Sequence, residues 1–481
     1  MIENICIDAN SIGACIALQQ TTKYLVIRNC MVTRSGYSNF WGKDTAGIWL
    51  WNCQNVKIED CTALNNDYNG IKLKNSDDCF VDGCTVDGVE RGGIEIKDSQ
   101  NIHVTNNVIT NGFFGIMFWG SSGHMTGNDA SSCVIGIEFN GYSSGTPVSG
   151  NTASSCTVGM NIFQTSSITF SENHLIGNDV GINVFVAFSN TIEYNELRNN
   201  RVGIAKQHSG SNTISNNILI VDDVTVDGTY GIPDPNSFNT TIENNTIIGY
   251  KVGILLNDAN QTLVKDNTMI DNGIGLLIEN SNYSVIVGNL FENNTNYGIK
   301  TNRSSTNNSI FANIFMNNNN GSIQAFDDVG TNYWQDENGT GNYWSDYEAR
   351  YPDASSDGEI WSIPYVIDGG LNVADGGPKV YPVDDPILAI LNELSSILNE
   401  IDELVSLNLV KGRKIACEEL LHLGKKVLDN VVEDYLNTGD ISEHELCMIK
   451  VFLRCISIIS KNQEISDCCT TGIDLIESIQ F

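Results

Sequence analysis

The sequence predicts an all-β solenoid, a right-handed parallel β-helix of about 12–13 coils, followed by a small α-helical bundle. Three observations carry that reading. A glycine recurs at near-constant spacing, an asparagine recurs in phase with it, and the stretches between them alternate apolar and polar residues over lengths too short for helices.

The glycines are Gly47, Gly70, Gly93, Gly115, Gly136, Gly159, Gly181, Gly203, Gly231, Gly253, Gly275, Gly298 and Gly321, usually followed by Ile. They stand 21–23 residues apart, save one step of 28 between Gly203 and Gly231. In the repeat Gly181-Ile182-Asn183-Val184-Phe185, period-2 alternation reads as a strand. Polar turn residues follow, then a second alternating stretch from Thr191 to Leu197, then the next glycine. Leucine-rich repeats share the length but need a regular Leu spacing that is absent. A constant offset from the glycine puts Ile48, Ile71, Ile94, Ile116, Ile137, Ile182, Ile204, Ile232, Ile254 and Ile299 in one internal row.

The asparagines in phase are Asn107, Asn128, Asn151, Asn173, Asn195, Asn217, Asn245, Asn267, Asn289 and Asn313. An inward Asn at a coil corner bonds the Asn above and below, and Asn tolerates left-handed φ at low cost. Cys30, Cys61 and Cys84 hold the same slot toward the N-terminus and read as a continuation of that buried stack.

Net charge is −32, which argues against nucleic acid or an anionic membrane as partner. No run of about 18 apolar residues occurs, so membrane insertion by a helix is not expected. Met1-Ile2-Glu3-Asn4 lacks the basic start and apolar segment of a signal peptide, and the chain opens inside repeat-like sequence. The expectation is a true N-terminus, with its signal, upstream of Met1. Nine sequons, at Asn239, Asn244, Asn260, Asn282, Asn293, Asn302, Asn307, Asn320 and Asn338, all lie in the second half of the solenoid and its exit. They are glycosylation candidates for an extracellular or cell-surface protein, while Asn-rich repeats also create sequons by chance. Of 14 cysteines, Cys133 and Cys156 both stand three residues before a repeat glycine, a spacing that allows a disulfide without requiring one. Cys468-Cys469 has no metal-site spacing around it, and no metal site is expected.

After Gly321 the repeat gives way to an aromatic segment: Asn332-Tyr333-Trp334, Gly341-Asn342-Tyr343-Trp344-Ser345-Asp346-Tyr347, Ile363-Pro364-Tyr365-Val366-Ile367-Asp368-Gly369-Gly370 and Val380-Tyr381-Pro382. With the Asn/Thr-rich coils, this pattern resembles the NosD-like, or CASH-type (carbohydrate-binding and sugar-hydrolase), secreted and often archaeal β-helix proteins, over roughly residues 1–385. The resemblance implies carbohydrate contact. In relatives the loop between these motifs carries alternating Asp residues that look calcium-binding. Here residues 353–359 keep few of those carboxylates, so no cofactor is assigned. Trp334, Trp344, Tyr347 and Tyr365 instead suit a cover for the last coil, whose strand edges would otherwise be unpaired. The expected domains are 1–326, the β-helix; 327–385, its aromatic-rich capping segment; and 386–481, an α-helical bundle. In the last, apolar residues from Ile387 to Val405 follow helical spacing and Ser442 with Glu445 forms a capping box. The stretch from Ser406 to Gly412 resembles a helical module appended to secreted surface proteins, which implies attachment or a cell-envelope partner.

Chemistry is sought on the outward face of the Gly-Ile strands, at two and four residues past the glycine. Coil by coil these are Trp49 and Trp51, Lys72 and Lys74, Glu95 and Lys97, Met117 and Trp119, Glu138 and Asn140, Asn161 and Phe163, Asn183 and Phe185. Later coils are bland, with Ala205 and Gln207 or Leu255 and Asn257. At about 4.8 Å per strand the rich stretch spans about 30 Å. Trp49, Trp51, Trp119, Phe163 and Phe185, with Lys74 and Asn140, suit a platform for sugar rings, and the lysines favour an acidic polysaccharide. The insertion from Arg34 to Thr45, with Tyr37, Phe40 and Trp41, would wall the groove. Catalysis would fall to Glu95, Glu138, Lys72 and Lys97. The two carboxylates, two coils and so about 10 Å apart, approach the inverting glycosidase range. The four solenoid histidines, His103, His124, His174 and His208, are read as scattered, which weakens a His-based lyase and a copper site. Three readings stay open: a polysaccharide-binding surface protein; a polysaccharide lyase, glycoside hydrolase or epimerase using the same groove; and a structural or adhesive envelope protein without a defined ligand.

Overall fold

The structure, a computed structural model, describes residues 1–36, 45–141, 143, 147–222, 228–302, 304–328, 330–357, 360–369 and 373–380. Beyond these it describes helical residues between 394 and 473, the longest run being 420–428. Tyr37, Phe40 and Trp41, the Tyr381-Pro382 motif and the expected boundary at 386 lie outside the described residues. The chain is a parallel β-solenoid of about 13 turns. It divides into two compact units, Met1–Leu263 with Asn272–Ser284, and Val264–Asp271 with Val285–Phe481.

In the first unit each coil supplies three strands. At Gly181 these are Val180–Phe185, Thr191–Glu193 and Glu196–Arg198, each paired in parallel with its counterpart one coil on. The stretch Thr191–Leu197, read from sequence as one strand, is two, because Tyr194 adopts a φ of 55° and turns the chain ahead of Asn195. A coil built from Ile2–Glu3, Cys6–Asp8 and Ile16–Gln19 precedes the one at Gly47, with Ile16 opposite Ile48.

The predicted isoleucine row is internal. Ile48, Ile71, Ile94, Ile116 and Ile137 pair in register and are fully buried, as are Ile182, Ile204, Ile232 and Ile254. The repeat glycine is dictated by close approach. A Cβ at Gly181 would lie 2.7 Å from the Gly203 carbonyl oxygen and 2.7 Å from Leu197 Cδ2.

The asparagine column forms as expected. From Asn107 through Asn217, each backbone N–H and each Nδ2 donates to the Oδ1 of the next Asn at 2.9–3.1 Å. Cys84 N–H donates to Asn107 Oδ1 at 2.8 Å, so the cysteine slot does continue the column. The left-handed conformation, however, belongs to the residue before each ladder position: Gly127, Gly150, Glu172, Tyr194, Asn216 and Asn244. The ladder Asn is selected for its hydrogen bonds, its predecessor for its φ. A second column, not foreseen, continues the Cys133–Cys156 corner: Cys156 N–H donates to Asn178 Oδ1 and Asn178 to Asn200 Oδ1, at 2.9 Å each. The nine solenoid cysteines, Cys6 to Cys156, are free thiols.

In the second unit the ladder runs Asn267, Asn289, Asn313, Asn342. Gly321 is not a repeat glycine. Ile299 pairs with Ala325, which makes Gln324 the counterpart of Gly298, and Gly321 sits in a turn at φ 81°. The aromatic segment stacks as the sequence implies, with Trp344 on Phe315 at 4.2 Å and Tyr365 on Trp344 at 4.0 Å. The indole N–H groups are satisfied too, Trp334 donating to Asp327 at 3.1 Å and Trp344 to Asp375 at 2.9 Å. Asp353 and Asp357 are exposed.

Candidate functional site

The two outward rows of the Gly-Ile sheet part company. At two residues past the glycine, Trp49, Lys72, Glu95, Met117 and Glu138 pair in register on successive coils, yet they are 2%, 2%, 1%, 1% and 5% exposed. The expected open row there is therefore corrected: Trp49 is not an exposed platform, and Lys72, Glu95 and Glu138 do not face bulk water. Period-2 alternation fixes direction but not cover. Neighbours one rung away shield each other, and turn residues fold over the row. Arg91 donates to the Tyr68 hydroxyl at 3.2 Å, with its guanidinium 5.3 Å from that ring. It also lies 3.9 Å from Glu95 Oε2.

Lys72 Nζ meets Glu95 Oε1 at 3.1 Å, so a buried charge has a buried partner. Glu95 Oε2 has no hydrogen-bond partner among the described residues. Glu138 accepts from Asn140 Nδ2 at 2.9 Å, and burial pushes its carboxyl above the usual range. The two carboxyls stand two coils apart, with Met117 between them.

The row four residues past the glycine is open. Trp119 is 38% exposed, and Trp51, Lys74, Lys97, Asn140, Phe163 and Phe185 are half-buried. Trp51, Lys74, Lys97, Trp119 and Asn140 follow in register. Lys97 Nζ sits 5.0 Å from the Trp119 ring centroid, and the Phe163 and Phe185 rings stack at 5.7 Å. The histidines are less scattered than the sequence suggested. His103 and His124 pair in register on adjacent coils, 4.9 Å apart, with Phe80 stacked on His103 at 4.6 Å. Their spacing of 21, one repeat, carried that signal.

Residues 215–349 match the NosD family, described as a periplasmic copper-binding protein, and residues 1–153, 46–192 and 120–224 match the right-handed β-helix region. The chain is a right-handed parallel β-helix whose later coils, residues 215–349, resemble NosD proteins. Copper does not fit the matching segment. Residues 215–349 contain neither His nor Cys. No group of three or more His, Cys, Asp or Glu able to hold a metal occurs among the described residues.

Among solved structures, this β-helix chain resembles a periplasmic alginate epimerase, AlgG, at 13% identity and a TM-score of 0.42, over 58% of this chain and 76% of that one. It also resembles PfbA, a surface adhesin of Streptococcus pneumoniae, at 11% and 0.40, over 58% and 82%. A third is the tailspike of E. coli bacteriophage HK620 in complex with a pentasaccharide, at 13% and 0.41, over 60% and 59%. At such TM-scores these likenesses carry no argument about what this chain does. No curated protein matches the chain.

Proposed function

We propose that this protein binds polysaccharide, with a preference for acidic chains, along the open row from Trp51 to Phe185, and that it does so outside the cell or at its surface. The observation that carries the reading is the run of partly exposed rings and ammonium groups on consecutive rungs about 4.8 Å apart, with Lys97 held against Trp119. Flat rings accept sugar faces, and lysines between them accept carboxylates. The lyase, hydrolase or epimerase alternative needs substrate to reach Glu95, Glu138 and Lys72, which are buried, whereas binding needs only the open row. All nine sequon asparagines are at least partly exposed, and none is a buried ladder residue, which supports a sugar-bearing second half.

Calorimetry against a panel of neutral and acidic polysaccharides tests this. Trp51→Ala and Trp119→Ala should each weaken binding by about 1 kcal/mol or more. Lys97→Ala should matter for acidic chains alone, with an effect that shrinks as salt rises. Leu255→Ala and Asn257→Ala, at equivalent positions on bland coils, should leave binding unchanged. Equal behaviour of all five, or no binding by the parent, leaves the envelope-scaffold reading in its place. Cleavage or epimerisation of a bound polymer would favour the enzyme instead.

A further inference from the structure

The inward row three residues past the repeat glycine is apolar along most of the first unit: Leu50, Leu73, Ile96, Phe118, Phe139, Ile162, Val184 and Leu256. Two adjacent coils break it with Lys206 and Asp234, both fully buried. Lys206 Nζ lies 2.8 Å from Asp234 Oδ1, 3.1 Å from the Ser209 carbonyl and 2.6 Å from Thr240 Oγ1. Asp234 Oδ2 is buried without a hydrogen-bond partner among the described residues. The place is distinctive in a second way. Pro233 and Pro235 flank Asp234, and neither has an N–H for the ladder. Strands Val202–Gln207 and Tyr230–Pro235 pair through Val202 and Tyr230. The same two coils are separated by the one 28-residue step. The backbone joint is thus short of donors where the core holds its charged pair.

We propose that Lys206 and Asp234 condense into an intramolecular amide bond that staples these two coils. Burial lowers the proton affinity of the Lys206 amine, against the opposing pull of Asp234. Lys206 passes a proton to Asp234 Oδ1. The neutral amine then directs its two N–H groups at Ser209 O and Thr240 Oγ1, which turns its lone pair toward Asp234 Cγ. The N–C bond forms and the C–Oδ1 bond breaks. One amine hydrogen, relayed by the Thr240 hydroxyl, leaves with that oxygen as water. No oxidant or co-reactant is required. Oδ2 stays as the amide carbonyl, so an unpartnered carboxylate oxygen becomes a neutral one, which is less costly to bury.

Intact-mass spectrometry of the full chain, made without glycosylation, followed by tryptic peptide sequencing, tests the bond. The expected result is a chain lighter than its sequence by one water, and a tryptic peptide of residues 202–251 that is uncut at Lys206, lacks one water and gives no fragments from breaks between residues 206 and 234. Asp234→Ala and Lys206→Arg should have full mass and no such looped peptide. The parent protein decides the question even if those variants fail to fold. A parent chain at full sequence mass overturns the proposal. So does a lost water with linear peptides alone, since a succinimide at an Asp-Gly pair such as Asp82-Gly83 would give that.

Discussion

Asn195 shows how much one side chain carries in this fold. Its Nδ2 donates to the Phe170 and Glu193 carbonyls and to Asn217, and its Oδ1 accepts from both nitrogens of Asn173. Asn195→Leu would orphan buried groups on two neighbouring coils, so thermal unfolding should show a loss of at least about 2 kcal/mol. A neutral result would mean that water replaces the ladder. Val186 presents the opposite case. It is β-branched yet holds a φ of 52°, at the corner where Asn236, Asp258 and Asn280 take the same conformation on other coils. Val186→Asn should therefore raise stability by about 1 kcal/mol in denaturant titration. Glu138 links a residue to pH. Burial raises its folded pKa above the ordinary 4.5, so the fold favours the protonated acid. That contribution is complete below 4.5 and is lost as pH rises through the folded value. Glu138→Gln should therefore exceed the parent in melting temperature at about pH 7 and match it at about pH 4. No gain at either pH would mean that the Glu138 carboxylate is solvated.

Strands succeed here through approach distance. The Gly-Ile sheet needs glycine because the next coil's carbonyl and a core methyl occupy the space of a Cβ. Gly181→Ala should cost about 1–3 kcal/mol by overpacking, read from the denaturant midpoint. Offset from that glycine made the direction of each side chain legible, and the isoleucine row and asparagine column follow from it. The same offset rule, applied at the third position, would also have found Lys206 and Asp234. What it missed at Thr191–Leu197 was a corner. Alternation continued through Tyr194, and only the backbone reversal divides that stretch into two sheets.

For the molecule as a whole, the composition break and the prolines at 382 and 386 argue that residues 1–385 fold alone. Removing 386–481 should preserve β-type circular dichroism and a cooperative melt, and aggregation of the fragment would show that the helices cover part of the solenoid. Asp271 gives that alternative a physical footing: its side chain is exposed, yet partial desolvation raises its carboxyl and the Lys426 charge opposes that rise. Both residues belong to the second compact unit. The candidate site was half legible. Its rows, registers and residue types could be counted from the glycine, whereas the difference between a covered row and an open one could not.

The periodicity by itself determined the coil, the inward rows and the partners along the stack, because a solenoid repeats one local geometry and every contact lies one period away. Tertiary structure decided cover. Trp49 and Trp51 share a strand and an outward direction, yet one is buried and the other half-exposed. Where the cover is seen, turn side chains on adjacent coils supply it: Arg91 lies beside Glu95 and against the Tyr68 ring. The side chain two residues before the glycine changes from Tyr68 to Arg91 to Phe113 on successive coils, so cover depends on identities that the period does not fix.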